Sequence, residues 1–433
     1  MAGAAAIDIT PTDTQFLWGY PHVERYSTGV HDPLFSTALF LSDGSEEVLF
    51  AAQDIIFIGR DTAARVRRRI TEKTGVPEGN IMVTATHTHS GPMTVDYLSN
   101  EADAVIPITD HAYLAFMEDR IVEVAIQARN NAESAEIGLA QAKAEGVGTN
   151  RRDPSGPADP CVPVLVVRSK DQTKYLACML VYSMHPTVLH EDSTLVSADF
   201  PGMTRYYLRE HILGTSCPVL YQTGPSGNQS PRQVTKGNTF AEAERLGYLL
   251  GEAVERIITD IEYTADVRLR ARRTFIDPPR RDFPPIHETE KRLAMVRRRF
   301  ERLKNDQAPP EIVRTAECDL FGAEETLTLA RAAAEGRIDA TYESILPAEI
   351  QLISIGPWTY IGWPGECFVE YSLTVKAERP DTFVISLANG ELQGYIVTEE
   401  AETEGGYEAS NSLFKPHTGQ LLIEATRKLL LEC

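Results

Sequence analysis

Residues 84–92 read Thr-Ala-Thr-His-Thr-His-Ser-Gly-Pro, directly after the apolar run Ile81-Met82-Val83. Two histidines at i and i+2, where a strand ends, put both imidazoles on one face. That is how a chain starts a metal site or a catalytic pair. Only 10 histidines occur in 433 residues, so His87 and His89 in one tripeptide carry information. The plain alternative is a polar strand end with two hydrogen-bonded imidazoles. A third histidine, His185, ends the apolar run 175–183 and is followed by Pro186, a rigid turn well placed to face a cleft; singly, such a residue is more often a satisfied core histidine.

Three further segments carry polar groups at turns. Gln222-Thr-Gly-Pro-Ser-Gly-Asn-Gln-Ser-Pro can aim backbone N–H groups and the Ser230 hydroxyl at an anionic centre. It is neither a Gly-x-Ser-x-Gly elbow nor a P-loop. Ile361-Gly-Trp-Pro-Gly-Glu-Cys presents Glu366 just past a Pro-Gly turn. Tyr395 lies in Asn389-Gly-Glu-Leu-Gln-Gly-Tyr, and Tyr407-Glu follows twelve residues later. Two or three imidazoles, a carboxylate and a phenolate suit a four-ligand zinc site with an open position for water. Zinc lowers the pKa of that water to about 7, which gives a nucleophile at neutral pH. Other metal architectures fit poorly. His89 is followed by Ser-Gly-Pro, so a His-x-His-x-Asp-His site fails, and His-Glu-x-x-His is absent. An amidohydrolase barrel wants its His-x-His near the first strand, and two strands precede it here.

The elements that must position these groups alternate short apolar runs with longer amphipathic ones, an α/β pattern. Strands are expected at 36–41, 48–54, 80–85, 162–168, 175–183, 218–222, 267–275, 349–355 and 382–388. Helices are expected at 60–74, 111–131, 200–212, 239–260, 287–304, 322–335 and 419–431. The predicted fold is a single large α/β domain over residues 1–433. It has a mixed central β-sheet flanked by helices, with the active site at strand ends. No internal repeat is evident. Residues 276–345 shift to charged helical sequence rich in Arg, Glu and Ala, expected to be an inserted arm, a lid, an oligomer contact or a solvated helical pair.

Composition excludes some classes of partner. A net charge of −20 and a pI near 5.0 argue against nucleic acid and against an anionic membrane surface. No stretch approaches the ~20 apolar residues of a membrane span, and the first residues lack the basic and apolar regions of a signal peptide. A cytoplasmic location is therefore expected, with a homo-oligomer as an open option. The cysteines, Cys161, Cys178, Cys217, Cys318, Cys367 and Cys433, form no Cys-x-x-Cys pair and are expected to be reduced thiols. Cys367, next to Glu366, is the one to watch.

The order of motifs resembles the catalytic domain of the neutral, non-lysosomal ceramidase family. The matching pieces are Ile7-Asp-Ile-Thr-Pro, Gly29-Val-His-Asp-Pro-Leu, Thr86-His-Thr-His-Ser-Gly-Pro, Asn150-Arg151, Ser183-Met-His-Pro, Gly227-Asn-Gln-Ser-Pro, Pro364-Gly-Glu, and Tyr395 with Tyr407-Glu, in family order from residue 7 to about 412. The resemblance implies that His87, His185, Glu366 and Tyr395 hold Zn2+. It places His89 and Tyr407 beside the metal, orienting the scissile carbonyl or stabilising its oxyanion, and gives Arg151 a role in positioning polar groups. Ser230 matches the family's serine, read here as a positioning group with zinc-bound water as nucleophile. The implied reaction is hydrolysis of the amide of an N-acyl sphingoid base, so a small-molecule N-acyl substrate is expected.

The chain departs from the family pattern. It ends shortly after the last motif, so the resemblance covers the catalytic domain and not the C-terminal immunoglobulin-like domain. The 276–345 segment can reshape the pocket mouth. Two alternatives follow: the same zinc site acting on a small soluble amide or lactone, and a non-enzymatic relative that keeps only the fold.

Overall fold

Near-continuous apolar runs such as Val48-Leu49-Phe50-Ala51-Ala52 are buried along their length, as expected of strands covered on both faces. The computed structural model describes residues 1–432 and builds three sheets of this kind. The first runs in chain order: β1 (Ala2–Asp8), β2 (Phe35–Ser42), β3 (Glu47–Gln53) and β4 (Ile81–Ala85). The second contains β5 (Ala135–Lys143), β6 (Cys161–Ser169), β7 (Tyr175–Tyr182), β8 (Val219–Thr223) and β9 (Tyr263–Thr264), in spatial order β8-β7-β6-β5-β9. The third holds β10 (Leu269–Ile276), β11 (Ala348–Ile355), β12 (Trp358–Gly362) and β13 (Thr382–Ile385). Each sheet is mixed, with one parallel pair: β3–β4, β7–β8 and β12–β13. The mixed character expected from the sequence is thus divided among three sheets. Leu39, Phe50, Leu165, Met179, Ile353 and Tyr360, two from each, share one buried cluster.

Helices α1 (Arg60–Thr74), α2 (His111–Asn130), α3 (Asp199–Leu208) and α4 (Phe240–Ile258) flank the first two sheets. Between β10 and β11 lie α5 (Ile286–Asn305), α6 (Pro310–Ala334) and α7 (Ile338–Ile345), and after β12 come α8 (Val369–Glu378), α9 (Glu399–Glu404), α10 (Tyr407–Ser410) and α11 (His417–Leu431). Parallel strands need a crossover. Here α1, α3 and α8 supply it, so each sheet contains one β-α-β unit.

The ends of three of these strands meet. The Thr84 hydroxyl donates to Gln222 Oε1 (2.5 Å) and the Thr223 hydroxyl to the Thr86 carbonyl (2.7 Å). The Ser386 N–H donates to Thr223 O and the Asn389 N–H to Val83 O, both at 2.8 Å. The carboxyl ends of β4, β8 and β13 are therefore laced together, each beside its parallel partner.

Several elements depart from expectation: β5, β12 and α8 lie where no strand or helix was expected, and three other departures have a local reason. β1 is alanine-rich, a poor strand composition, yet it pairs with β2; a Cβ on Gly3 would lie 2.3 Å from the Ala128 carbonyl, so small residues let the strand lie flat on α2. α6 begins at Pro310 rather than near 322, because a proline in the first turn is compatible with a helix. The charged segment is also no remote helical pair. Its α6 packs on α10, and Arg281 donates to the carbonyls of Ala409, Ser410 and Ser412.

Five cysteines are free, and Cys433 lies outside the described residues. Cys367 is fully buried and burial pushes its thiol well above the usual range, so it is inert. Among the described residues no helix is long and apolar enough to cross a membrane.

Candidate active site

His87 follows β4, and its N–H continues the parallel pairing with a bond to the Ile55 carbonyl (2.9 Å) before the backbone turns at φ 70°. His185 follows β7. Glu366 follows β12 and sits in a short strand, Gly365–Cys367, paired in parallel with Leu392–Ile396 so that Glu366 stands opposite Tyr395. The laced strand ends thus bring together residues from three sheets. One ligand atom from each of His87, His89 and His185 lies within 4.8 Å of the others, as expected for a metal centre.

Hydrogen bonds assign the tautomers. His87 Nδ1 is 3.0 Å from the Ile56 carbonyl, and His185 Nδ1 is 2.6 Å from Ser226 O and 3.0 Å from Gln229 O. Carbonyls only accept, so both Nδ1 atoms carry a proton, and in the neutral form of each ring Nε2 presents a lone pair. Those lone pairs face Glu366 Oε2, at 3.2 Å from His87 and 3.0 Å from His185. Burial, with Arg151 nearby, pushes His185 down to about 4, so its imidazole is neutral at pH 7. With both rings neutral, two lone pairs and a carboxylate meet in a buried site, an arrangement that a cation standing among them would satisfy. An N, N, O donor set with outer N–H groups held by carbonyls suits zinc. His89 or Tyr395 is placed to complete it.

His89 differs from the other two. Its Nδ1 is buried with no hydrogen-bond partner among the described residues, and its Nε2 lies 3.4 Å from that of His87. Burial, reinforced by His87, holds it well below the usual histidine range. Its backbone is held by the fully buried Arg25, which donates to the His89 carbonyl and to Ser90 Oγ. Its ring lies against Gly19, where φ is 124° and a Cβ would stand 2.3 Å from His89 Nδ1. Gly19→Ala is expected to displace that ring and lower kcat about tenfold or more, by the sensitivity of reacting groups to small misplacements, with metal content unchanged. Steady-state kinetics beside metal analysis checks this.

Arg151 pairs with Glu408 (Nε to Oε1, 2.8 Å) and lies over the Tyr395 ring, 5.2 Å from its centroid. The Tyr395 and Tyr407 rings are 5.9 Å apart. Burial, with Glu325 close by, pushes the Tyr407 hydroxyl well above its usual range, so it stays protonated and can donate.

Ser230 is buried, and its Oγ accepts from the Arg232 N–H (3.2 Å), capping the turn Pro231–Gln233. Its side chain does not line the cavity at the histidines. The loop before it turns carbonyls, not the expected N–H groups, toward His185, through Ser226 and Gln229.

That cavity measures about 50 Å³. Its lining includes the mutually packed rings of Trp18, Phe57 and Tyr97 and the hydrogen-bonded group Asn100, Glu325 and Asn411. Sequence reasoning missed these lining residues. Trp18-Gly19 carried a weak signal, a glycine beside a large aromatic residue. Glu325 carried none, being one acid among many in a charged helix.

The family model for the N-terminal part of neutral/alkaline non-lysosomal ceramidase matches residues 1–222, just over half of the chain. The chain belongs to this family. It is 22% identical over 460 aligned positions to a neutral ceramidase of Mycobacterium tuberculosis, covering 92% of this chain and 71% of that protein. Its fold superimposes on the crystal structure of neutral ceramidase from Pseudomonas aeruginosa with a TM-score of 0.75 at 20% identity, covering 99% of this chain and 74% of the other. A ceramidase complexed with C2 gives 0.74 at 17% identity, over 98% and 73%.

Proposed function

We propose that this protein is a zinc-dependent hydrolase of a C–N amide bond, with His87, His185, Glu366 and Tyr395 as the metal ligands. The observation that carries the reading is the convergence of two imidazole Nε2 atoms and a carboxylate oxygen beside a cavity. Zinc held there supplies a Lewis acid that activates water near neutral pH.

The chain's own groups do the rest. The Tyr407 hydroxyl donates to the scissile carbonyl oxygen and strengthens that bond as negative charge develops. Of the three site histidines, His89 is the one whose Nδ1 meets no carbonyl among the described residues, so its tautomer can change during turnover. It takes the proton from the attacking water and returns one to the amine nitrogen as the C–N bond breaks. Arg151 holds the Tyr395 ring and neutralises Glu408. Ser230 maintains the turn behind His185.

His89→Ala is expected to retain the metal and to lose about 100-fold or more in kcat. Ser230→Ala is expected to keep most turnover and to form no acyl adduct by mass spectrometry. A covalent acyl-Ser230 species would reverse the choice of nucleophile. The decisive experiment assays short N-acyl amides and ceramide before and after chelation. Activity lost with the metal and restored by zinc supports the reading, and metal-independent turnover refutes it.

The small size of the cavity and its Asn100, Glu325 and Asn411 wall favour a short polar amide over ceramide as substrate.

A further inference from the structure

The charged insertion contributes one residue to the site cavity, Glu325 on α6. Glu325 also lines a second cavity of about 360 Å³, bordered by His22, Asp103, Glu324 and Arg331. It shares this double position with Asn100, so the two residues form the partition between an outer chamber and the histidines.

The carboxylates around the outer chamber are unequal. Asp103 and Glu324 are both paired with His22, at 3.2 and 2.9 Å, and Glu324 also with Arg297 at 2.8 Å. Arg331 is occupied by Glu290. Glu325 is only 3% exposed and forms no ion pair among the described residues. Its two oxygens accept from neutral amides alone, Oε1 from Asn100 Nδ2 (3.3 Å) and Oε2 from Asn411 Nδ2. Desolvation pushes this carboxyl up to about 8. A buried carboxyl held by neutral donors at the edge of a reaction cavity lacks a cationic partner, and an ammonium group supplies both charge and N–H donors.

We infer that Glu325 is a specificity residue which selects amides carrying an ammonium group on the amine half of the molecule, that group lodging at the partition while the acyl carbonyl reaches the histidines. The substrate class is the mono-N-acylated diamine. The inference rests on the amide-hydrolase reading and names the substrate class for that site.

The test compares N-acetylated diamines of increasing chain length with two controls: N-acetylated alkylamines, in which a methyl replaces the ammonium, and N-acetylated amino alcohols. Zinc-loaded wild type is expected to favour at least one diamine over its alkylamine counterpart by about tenfold or more in kcat/KM, because a site built for a polar group rejects the analogue lacking it. In Glu325→Gln that ratio is expected to fall to near one. A ratio that survives in the variant overturns the inference, as does an amino alcohol that matches the diamine in wild type. If no probe is hydrolysed, calorimetric binding of the same compounds decides. Tighter diamine binding lost in Glu325→Gln sustains the role of Glu325 while the hydrolase reading fails. Equal binding, or none, overturns it. Should Glu325→Gln not fold, Asn100→Ala removes one of the two amide donors and is expected to reduce the same ratio.

Discussion

His185→Ala is expected to leave the protein without metal and to lower turnover by at least about a thousandfold, the metal being the source of activated water. His185 is wholly buried, and its Nδ1 is held by two carbonyls, so its Nε2 is fixed toward Glu366 and truncation removes a donor already set in place. Mass spectrometry of the purified proteins is expected to find about one zinc per chain in wild type and none in the variant. Glu366→Ala is expected to behave alike, since it removes the oxygen shared by both imidazoles. Tyr395→Phe alongside His89→Ala identifies the remaining ligand: only the true ligand weakens zinc affinity. A metal-replete and active His185→Ala protein would remove the basis of the proposed chemistry.

Arg205→Met is expected to cost about 3–5 kcal/mol of stability, the range for removing one partner of a buried ion pair. The Arg205 guanidinium on α3 donates to both oxygens of Asp54, at 2.7 and 2.5 Å, and Asp54 is inaccessible to solvent. Asp54 also accepts from the Phe35 N–H and the Thr86 hydroxyl, so it ties the crossover helix of the second sheet to the first sheet one residue from His87. The variant leaves a carboxylate buried without its cation. Urea unfolding is expected to show a lower midpoint with an unchanged slope, and Asp54→Asn added to Arg205→Met is expected to recover part of the loss. A difference under about 1 kcal/mol, the level of an exposed pair, would mean that Asp54 is neutral or hydrated.

Much of the fold was legible because strands buried on both faces read as unbroken apolar runs. Those at 80–85, 175–183 and 349–355 all lie where expected, within a residue or two. The placement of the candidate residues was legible in part. His87 and His185 each follow such a run, and a polar residue just past the carboxyl end of a parallel strand faces the ligand side of a sheet, whereas the strand before Glu366, Trp358–Gly362, was not expected. The threefold repetition of β-α-β units was not legible, because no sequence repeat accompanies it and pairing is decided by partners far along the chain. Tyr395 opposite Glu366 is such a case, set by a short parallel pairing. β1 was hidden by its alanines, whose value lies in fitting under α2 rather than in strand propensity. Glu325 was hidden because charge on a helix ordinarily means solvent.

The three sheets and their laced strand ends have a consequence for how the protein comes into being. No contiguous half of the chain carries the donor set: His87 and Glu366 are 279 positions apart in a chain of 433, and each sheet contributes a member. On the proposed reading, a metal would be captured only after all three sheets have docked, and loop closure over such separations makes that docking slow. Metal uptake would then report complete assembly, and the bound ion would favour the finished arrangement by mass action.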